Sequence, residues 1–264
     1  MNKKYAVLLL IVFTVTIFSV LNNAEYKTYD GEKIIKKDIY PYKFIFFGDN
    51  RPGYGKEQPE VFINMIKMIN EEDPLFVIGG GDFVVEGTPG NFEEFLKAVS
   101  NLKAPLFYVC GNHDNSRYYE KYLGEKVYSF TYKNSIFIVL NDSRGILDKT
   151  QLRFLKTQLK RNFKHKFVFM HIPPFDPRPE ENHCMGDSEE FMKIIKENNV
   201  DFVFCSHIHS YYKEKIGNTT FVISGGAGAP LVNNGFYHYI VVNVGDNISF
   251  SVVRYGEICK VAIS

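Results

Sequence analysis

The sequence predicts an α/β fold in which β-α units build a sheet under helices and a mainly antiparallel set of strands closes the structure. Strand-length apolar runs alternate with one-sided helical patterns from residue 42 to residue 205, and after Ser210 the pattern changes to short β-rich runs. No repeat, low-complexity stretch or Pro/Ser-rich linker breaks the chain after about residue 40. The 264 residues, 45% hydrophobic and 23% charged, are enough for one large core, so a single domain over 41–264 is expected.

Taken in order, the expected strands are 42–47, 75–78, 106–110, 136–140, 167–170 and 202–205, each an apolar run of strand length. Between them, 60–70, 92–99, 151–159 and 189–195 repeat apolar residues at three- and four-residue spacing, as helices that bury one face do. The closing runs are 221–224, 237–244 and 248–255, with turns at Gly217-Asn218 and Gly245-Asp246-Asn247. Trp is absent while Phe is 24 and Tyr 17, so aromatic packing falls to those two types.

Residues 1–24 read as a targeting segment, because Lys3 and Lys4 precede an uncharged apolar run over 5–21. At about seventeen residues, the run is long for a signal core and at the short limit for a membrane span. Asn22 stands where a small residue would precede a cleavage after Ala24, and both a cleaved signal peptide and a retained membrane anchor stay open. The two lysines hold the N-terminus inside, so the rest is expected to be extracytoplasmic, secreted or anchored to the membrane by that segment. Residues 25–40 read as a tether.

A formal net charge of +1 gives no electrostatic support for binding a nucleic-acid polymer. Cys110, Cys184, Cys205 and Cys259 lack the close paired spacing of a thiolate metal site or a redox motif, and free thiols are expected.

The chemistry is carried by the polar residues at the ends of the apolar runs. Five runs end in side chains able to bind a metal: Gly48-Asp49-Asn50-Arg51, Gly81-Asp82, Gly111-Asn112-His113-Asp114, His171, and Ser206-His207-Ile208-His209. Singly, each has a plain structural reading: a Gly-Asp turn or helix cap, an Asx turn, a strand-closing histidine. Together they belong at the carboxyl ends of strands in an open α/β sheet, where ligand sites lie, and so predict one shared site. Two carboxylates, an amide oxygen and three imidazoles suit manganese, iron, zinc or cobalt better than calcium or soft copper. One carboxylate can bridge two such ions about 3.5–4 Å apart, an arrangement suited to phosphoryl displacement.

In this order the fragments resemble the calcineurin-like metallophosphoesterases, whose pattern runs Asp-x-His, Gly-Asp, Gly-Asn-His-Asp/Glu, His and Gly-His-x-His. The likeness spans residues 44–209, and Gly-Asn-His-Asp with the paired histidines is its specific part. Gly145-Ile146-Leu147, with Gln151-Leu152 and Phe154-Leu155, also resembles the linker helix of the branch that holds cyclic-nucleotide phosphodiesterases and purple acid phosphatases. The resemblance implies a four-layer αββα sandwich of two mixed sheets flanked by helices, and two divalent transition-metal ions. Asp49, Asp82 and His209 would hold one ion and Asp82, Asn112, His171 and His207 the other, with Asp82 as bridge. His113 would act on the phosphate or the leaving oxygen, a role suited to a group that titrates near neutrality. A metal-bound hydroxide would attack a small phosphomonoester or phosphodiester in line.

Two departures stand out. The family's Asp-x-His is here Asp49-Asn50-Arg51, and an arginine cannot replace a neutral imidazole ligand. Either water completes the first ion's coordination, or that ion is held mainly with substrate present. Arg51 is then a bidentate clamp on phosphate or a structural ion pair with a neighbouring acid. Second, some relatives carry an aspartate three residues after the bridging one to orient the catalytic histidine. Val85 stands there, leaving Glu86 or Asp114 for that duty.

Outside the constellation, Asp142 and Arg144 read as a loop salt bridge, His183 as a solvated loop residue, and His165 and His238 as structural. Gly225–Pro230 reads as a tight turn near the site. Two other functions stay open beside phosphoester hydrolysis: an extracytoplasmic pyrophosphate hydrolase of the same fold, and a non-catalytic, metal-stabilised surface domain that the missing imidazole would explain.

Overall fold

The computed structural model describes residues 26–178, 180–256 and 261–263, so the expected targeting segment and Cys259 lie outside the described residues. Strand β2 (Tyr42–Phe47) is apolar on both faces, as a strand covered on both sides must be. Phe44 and Phe46 face a second sheet, while Ile45 and Phe47 meet Phe62 and Met65 of α2 (Glu60–Glu71). Parallel to β2 lie β3 (Phe76–Gly79) and β4 (Leu106–Tyr108). On its other side β11 (His238–Val244), β12 (Ile248–Arg254) and β13 (Val261–Ile263) add antiparallel strands, giving a six-stranded mixed sheet. Helix α3 (Pro89–Val99) joins α2 on its outer face through Phe92 and Phe95.

The second sheet has seven strands in the order β1 (Lys27–Asp30), β5 (Tyr128–Tyr132), β6 (Ser135–Val139), β7 (His165–Phe169), β8 (Phe202–Cys205), β10 (Thr219–Ser224) and β9 (Tyr211–Ile216). β6, β7, β8 and β10 are parallel, β5 and β9 pair antiparallel with β6 and β10, and β1 lies parallel to β5 at the edge. Helices α5 (Lys149–Leu159) and α6 (Glu189–Glu197) cover its outer face with Phe154, Leu155, Phe191 and Ile195. Asp148 starts α5 by accepting from the amides of Thr150 and Gln151. Two short helices, α1 (Gly31–Ile34) and α4 (Tyr119–Tyr122), complete the described elements. The expected four-layer αββα sandwich of two mixed sheets is the observed architecture.

Phenylalanine fills the space between the sheets, as the lack of Trp implies. Phe44, fully buried, stacks on Phe76 at 5.3 Å between centroids and receives the edges of Phe137 and Phe167 at 5.6 and 5.4 Å. Phe44→Ala is expected to cost about 3–5 kcal/mol, the range for deleting a buried aromatic ring. Urea unfolding measures it, and a loss under about 1 kcal/mol would contradict this account of the core.

Residues 25–40 depart from the expected tether. Lys27–Asp30 pairs with β5, Tyr26 sets its ring edge-on to Phe154 at 5.1 Å, and Ile35 is 2% exposed. Their apolar residues are too scattered among charges to form a run, yet each meets a prepared surface. β5 and β9 were likewise not legible as apolar runs, since β9 is a largely exposed edge strand carrying Lys213, Glu214 and Lys215.

Candidate metal centre

The loops after β2, β3 and β4 of one sheet meet those after β7 and β8 of the other at one end of the sandwich. Backbone and side-chain bonds tie them across the gap. The amide of His207 donates to Asp49 Oδ2 at 2.7 Å, and His171 Nδ1 donates to the carbonyl of Gly80 at 2.9 Å. Because a carbonyl only accepts, Nδ1 of His171 is protonated, and Nε2 turns toward Asn112 Oδ1 at 3.1 Å and Asp82 Oδ1 at 3.4 Å. The ligand atoms of Asp82, His171 and His207 all lie within 4.8 Å of one another. His209 bonds the carbonyl of Pro230 through Nδ1 at 2.6 Å and brings Nε2 to 3.4 Å from Asp49 Oδ1. The structure thus brings Asp49, Asp82, Asn112, His171, His207 and His209 together, with His113 and Arg51 beside Asp82 at 3.9 and 3.6 Å.

Backbone strain concentrates here. Asp49, Asp82 and His207 have φ of 57°, 54° and 66°, a region that costs non-glycine residues about 1–3 kcal/mol. Each is held by its own amide: Asp49 to the Gly81 carbonyl, Asp82 to Asp114 Oδ2, His207 to Asp49 Oδ2. Gly81, at φ 98°, permits the approach, since a Cβ there would stand 2.7 Å from His171 Nδ1 and from the amide of Gly111.

The carboxylates set the electrostatics. Burial alone would lower His171, but the Asp82 and Asp49 carboxylates push it up to about 10. Burial would raise Asp82, and the facing imidazoles, His171 first, hold it well below the usual carboxylate range. His207 goes the other way, down to about 4, through burial and the nearby His171. His209 is raised because Asp49 outweighs its burial.

Asp49 Oδ1 is buried and, apart from His209 Nε2 at 3.4 Å, has no hydrogen-bond partner, which is what an oxygen open to a cation would show. The donor set therefore fits a transition-metal ion at Asp82, Asn112, His171 and His207. On the Asp49 side, Arg51 stands where an imidazole ligand was expected. Its buried Nε has no hydrogen-bond acceptor and lies 3.6 Å from Asp82 Oδ2, while Nη1 donates to the carbonyl of Pro52 at 3.3 Å.

Several supporting roles differ from expectation. Neither Glu86 nor Asp114 orients His113: its Nδ1 donates to the backbone carbonyl of Val85 at 2.7 Å, leaving Nε2 toward the site. A main-chain acceptor does the work of the missing aspartate, which no side-chain pattern can reveal. Asp114 instead accepts from the amides of Gly111, Asp82, Phe83 and Val84, holding two ligand loops together. Burial and the neighbouring Asp82 push Asp114 up to about 7, against the pull of those amides. Asp142, expected in a loop salt bridge, accepts from the amides of His171 and Ile172 and aims the end of β7. Asn50 and Gln58, unnoticed in the sequence, brace the first loop: Asn50 donates to Gln58, which donates to the Phe83 carbonyl.

Gly225 packs beside Asp49 in the expected tight turn, and the amide of Ala229 donates to the Asp49 carbonyl at 2.7 Å. His165 and His238 are buried and bonded to Gly245 O and to Ser224 and Phe236 O. His183, expected to be a solvated loop residue, is exposed yet bonded to Arg178, with its ring 6.4 Å from that of His207.

The model of the calcineurin-like phosphoesterase family matches residues 42–211. A 3′,5′-cyclic-nucleotide phosphodiesterase of Nostoc sp. is 26% identical over 183 residues, 64% of this chain and 69% of that protein. Purple acid phosphatase 5 of Arabidopsis thaliana is 26% identical over 221 residues, 79% of this chain and 54% of that protein. Among solved structures, a dimetal phosphatase from Danio rerio superposes with a TM-score of 0.66 at 11% identity, covering 85% of this chain and 99% of that one, a likeness of fold. With the family's motifs on the loops that converge here, this chain belongs to the calcineurin-like phosphoesterases.

Proposed function

We propose that this metallophosphoesterase hydrolyses a small phosphomonoester or phosphodiester at a site for two transition-metal ions, with Asp82 shared between them. Asn112, His171 and His207 would complete one ion's ligands, and Asp49 and His209 would serve the other. The convergence of Asp82, His171 and His207, with the buried Asp49 Oδ1 facing His209 Nε2 at 3.4 Å beside them, carries the reading. When bound, the ions supply the Lewis acidity that polarises the phosphoryl group and acidifies the attacking water. His113, fixed by the Val85 carbonyl, holds Nε2 free to exchange a proton with the leaving oxygen. The Arg51 guanidinium, beside Asp82, is within reach of a phosphate held at the site and supplies charged donors to it. The oriented imidazole of His113 speaks against a purely structural metal site, which has no use for it.

The relatives include a phosphodiesterase and an acid phosphatase, which supports testing both ester classes. Turnover of bis-p-nitrophenyl phosphate and p-nitrophenyl phosphate with manganese, iron, zinc and cobalt is the direct test, and no turnover under any of them would sink the reading. Calorimetric titration of the protein without residues 1–24 is expected to show about two ions, the one on the Asp49 side held more weakly because it lacks an imidazole. Two equally tight ions, or none, would contradict the assignment.

The apolar run over 5–21 behind Lys3 and Lys4 supports placing the domain outside a membrane. Among the described residues no helix is long and apolar enough to cross one. Protease accessibility of the domain on intact cells tests the placement.

A further inference from the structure

Between β7 and α6 the chain forms a strap that crosses the His207 side of the centre, and its interior is built around one carboxylate. Asp176, with its side chain 3% exposed, accepts from Arg178 Nε at 2.9 Å and Nη2 at 2.7 Å, and from the amides of Arg178 and His183 at 3.0 and 2.9 Å. Arg178 Nη2 also lies 2.8 Å from His183 Nδ1. A guanidinium has no acceptor, so the Arg178 bond uses the lone pair of His183 Nδ1 and leaves the proton on Nε2, while Asp176 Oδ2 and Glu181 Oε2 lie 3.6 and 3.3 Å from the same Nδ1. Arg178 and His183 line a cleft of about 570 Å³ that also contains His207 and His209, with Leu231 and Tyr212 as apolar wall. One end of the cleft is therefore the metal centre, and the other is lined by Arg178 and His183 of the strap.

The charge in the strap narrows what can sit there. Asp176 cancels Arg178, and Glu181, a further lining residue 3.3 Å from His183 Nδ1, adds a negative charge. A second phosphate or a carboxylate would meet that charge without a free cation of the strap to offset it. An uncharged hydroxyl or carbonyl oxygen needs only the donors. We infer that this cleft is the binding site for the organic part of the ester, that it takes an uncharged, oxygen-bearing group with an apolar face, and that His183 Nε2–H and Arg178 are the residues that recognise it. The inference rests on the phosphoesterase reading and names the substrate class for the same centre; it favours a neutral alcohol component over a pyrophosphate.

The test compares two diesters with the same leaving group, p-nitrophenyl thymidine 5′-phosphate, whose retained group is uncharged and oxygen-rich, and bis-p-nitrophenyl phosphate. The parent full chain is expected to favour the thymidine ester by about tenfold in kcat/KM, the scale set by one or two charged or neutral hydrogen bonds. In His183→Phe and Arg178→Met the ratio is expected to fall close to one, through KM for the thymidine ester and not kcat. His183→Gln, which keeps an N–H near the Nε2 position, is expected to retain at least half of the preference, a rescue that a merely structural histidine would not give. A ratio unmoved in both His183→Phe and Arg178→Met overturns the inference, as does a parent that turns over pyrophosphate more efficiently than the thymidine ester. Turnover of none of these substrates overturns the phosphoesterase reading itself, and this one with it.

Discussion

His207→Ala and Asn112→Ala are each expected to lower kcat/KM for phosphoesters by at least about a hundredfold, because each removes a donor for which the site offers no substitute. Supporting residues around a metal already cost about 10–100-fold when lost, and a direct donor should cost more. His207 carries a double load: its ring is one corner of the Asp82, His171 and His207 cluster, and its amide ties β8 to Asp49. The alanine variant keeps the amide, so the loss reports the imidazole. Asn112 acts from the other direction, its Oδ1 facing His171 Nε2. Metal content measured on the same preparations should fall with activity. His238→Ala, a buried histidine bonded to Ser224 and outside the centre, is expected to hold kcat/KM within about twofold where the protein remains folded. Equal losses in all three variants would mean that the centre is misplaced.

Arg51→Met is expected to cost about 2–4 kcal/mol of transition-state stabilisation, the scale of charge-assisted donors to a reacting anion in a sheltered site. Methionine keeps much of the apolar stem and removes the forked donors. The structure brings the two sequence readings of Arg51 onto the same atoms: the neighbouring acid of the ion pair is Asp82 itself. The pair is loose at 3.6 Å, and the buried Nε has no hydrogen-bond acceptor, one that a phosphate oxygen would supply. Metal content in Arg51→Met should be equal to or above that of the parent, since a positive charge beside Asp82 has gone. Arg51→His would restore an imidazole next to Asp49 and Asp82 and is expected to tighten the weaker ion. A kcat/KM for Arg51→Met within about twofold of the parent at saturating metal would exclude the clamp.

By itself, the sequence determined the main buried strands and helices and picked out the polar residues that the structure brings together at one end of the sandwich. Buried strands are apolar on both faces and core helices on one, so β2, β3, β7 and β8 with α2 and α5 stood out, and polar side chains at the ends of such runs could serve only a shared end of the sheet. It could not determine β1, whose pairing depends on the edge of the distant β5, nor β5 and β9, hairpin strands whose mixed polar residues form no apolar run. Nor could it show who supports the ligands. The Val85 carbonyl behind His113 and the amides gathered by Asp114 and Asp142 are main-chain partners whose positions depend on the path of the loops, not on side-chain identity. The same holds for the strap: Asp176, Arg178 and His183 are ordinary loop residues in sequence, and only the folded path brings Arg178 onto His183 and the His183 ring beside that of His207. Residue chemistry is local and therefore legible, while the direction in which a group is held is set by contacts between segments far apart in the chain.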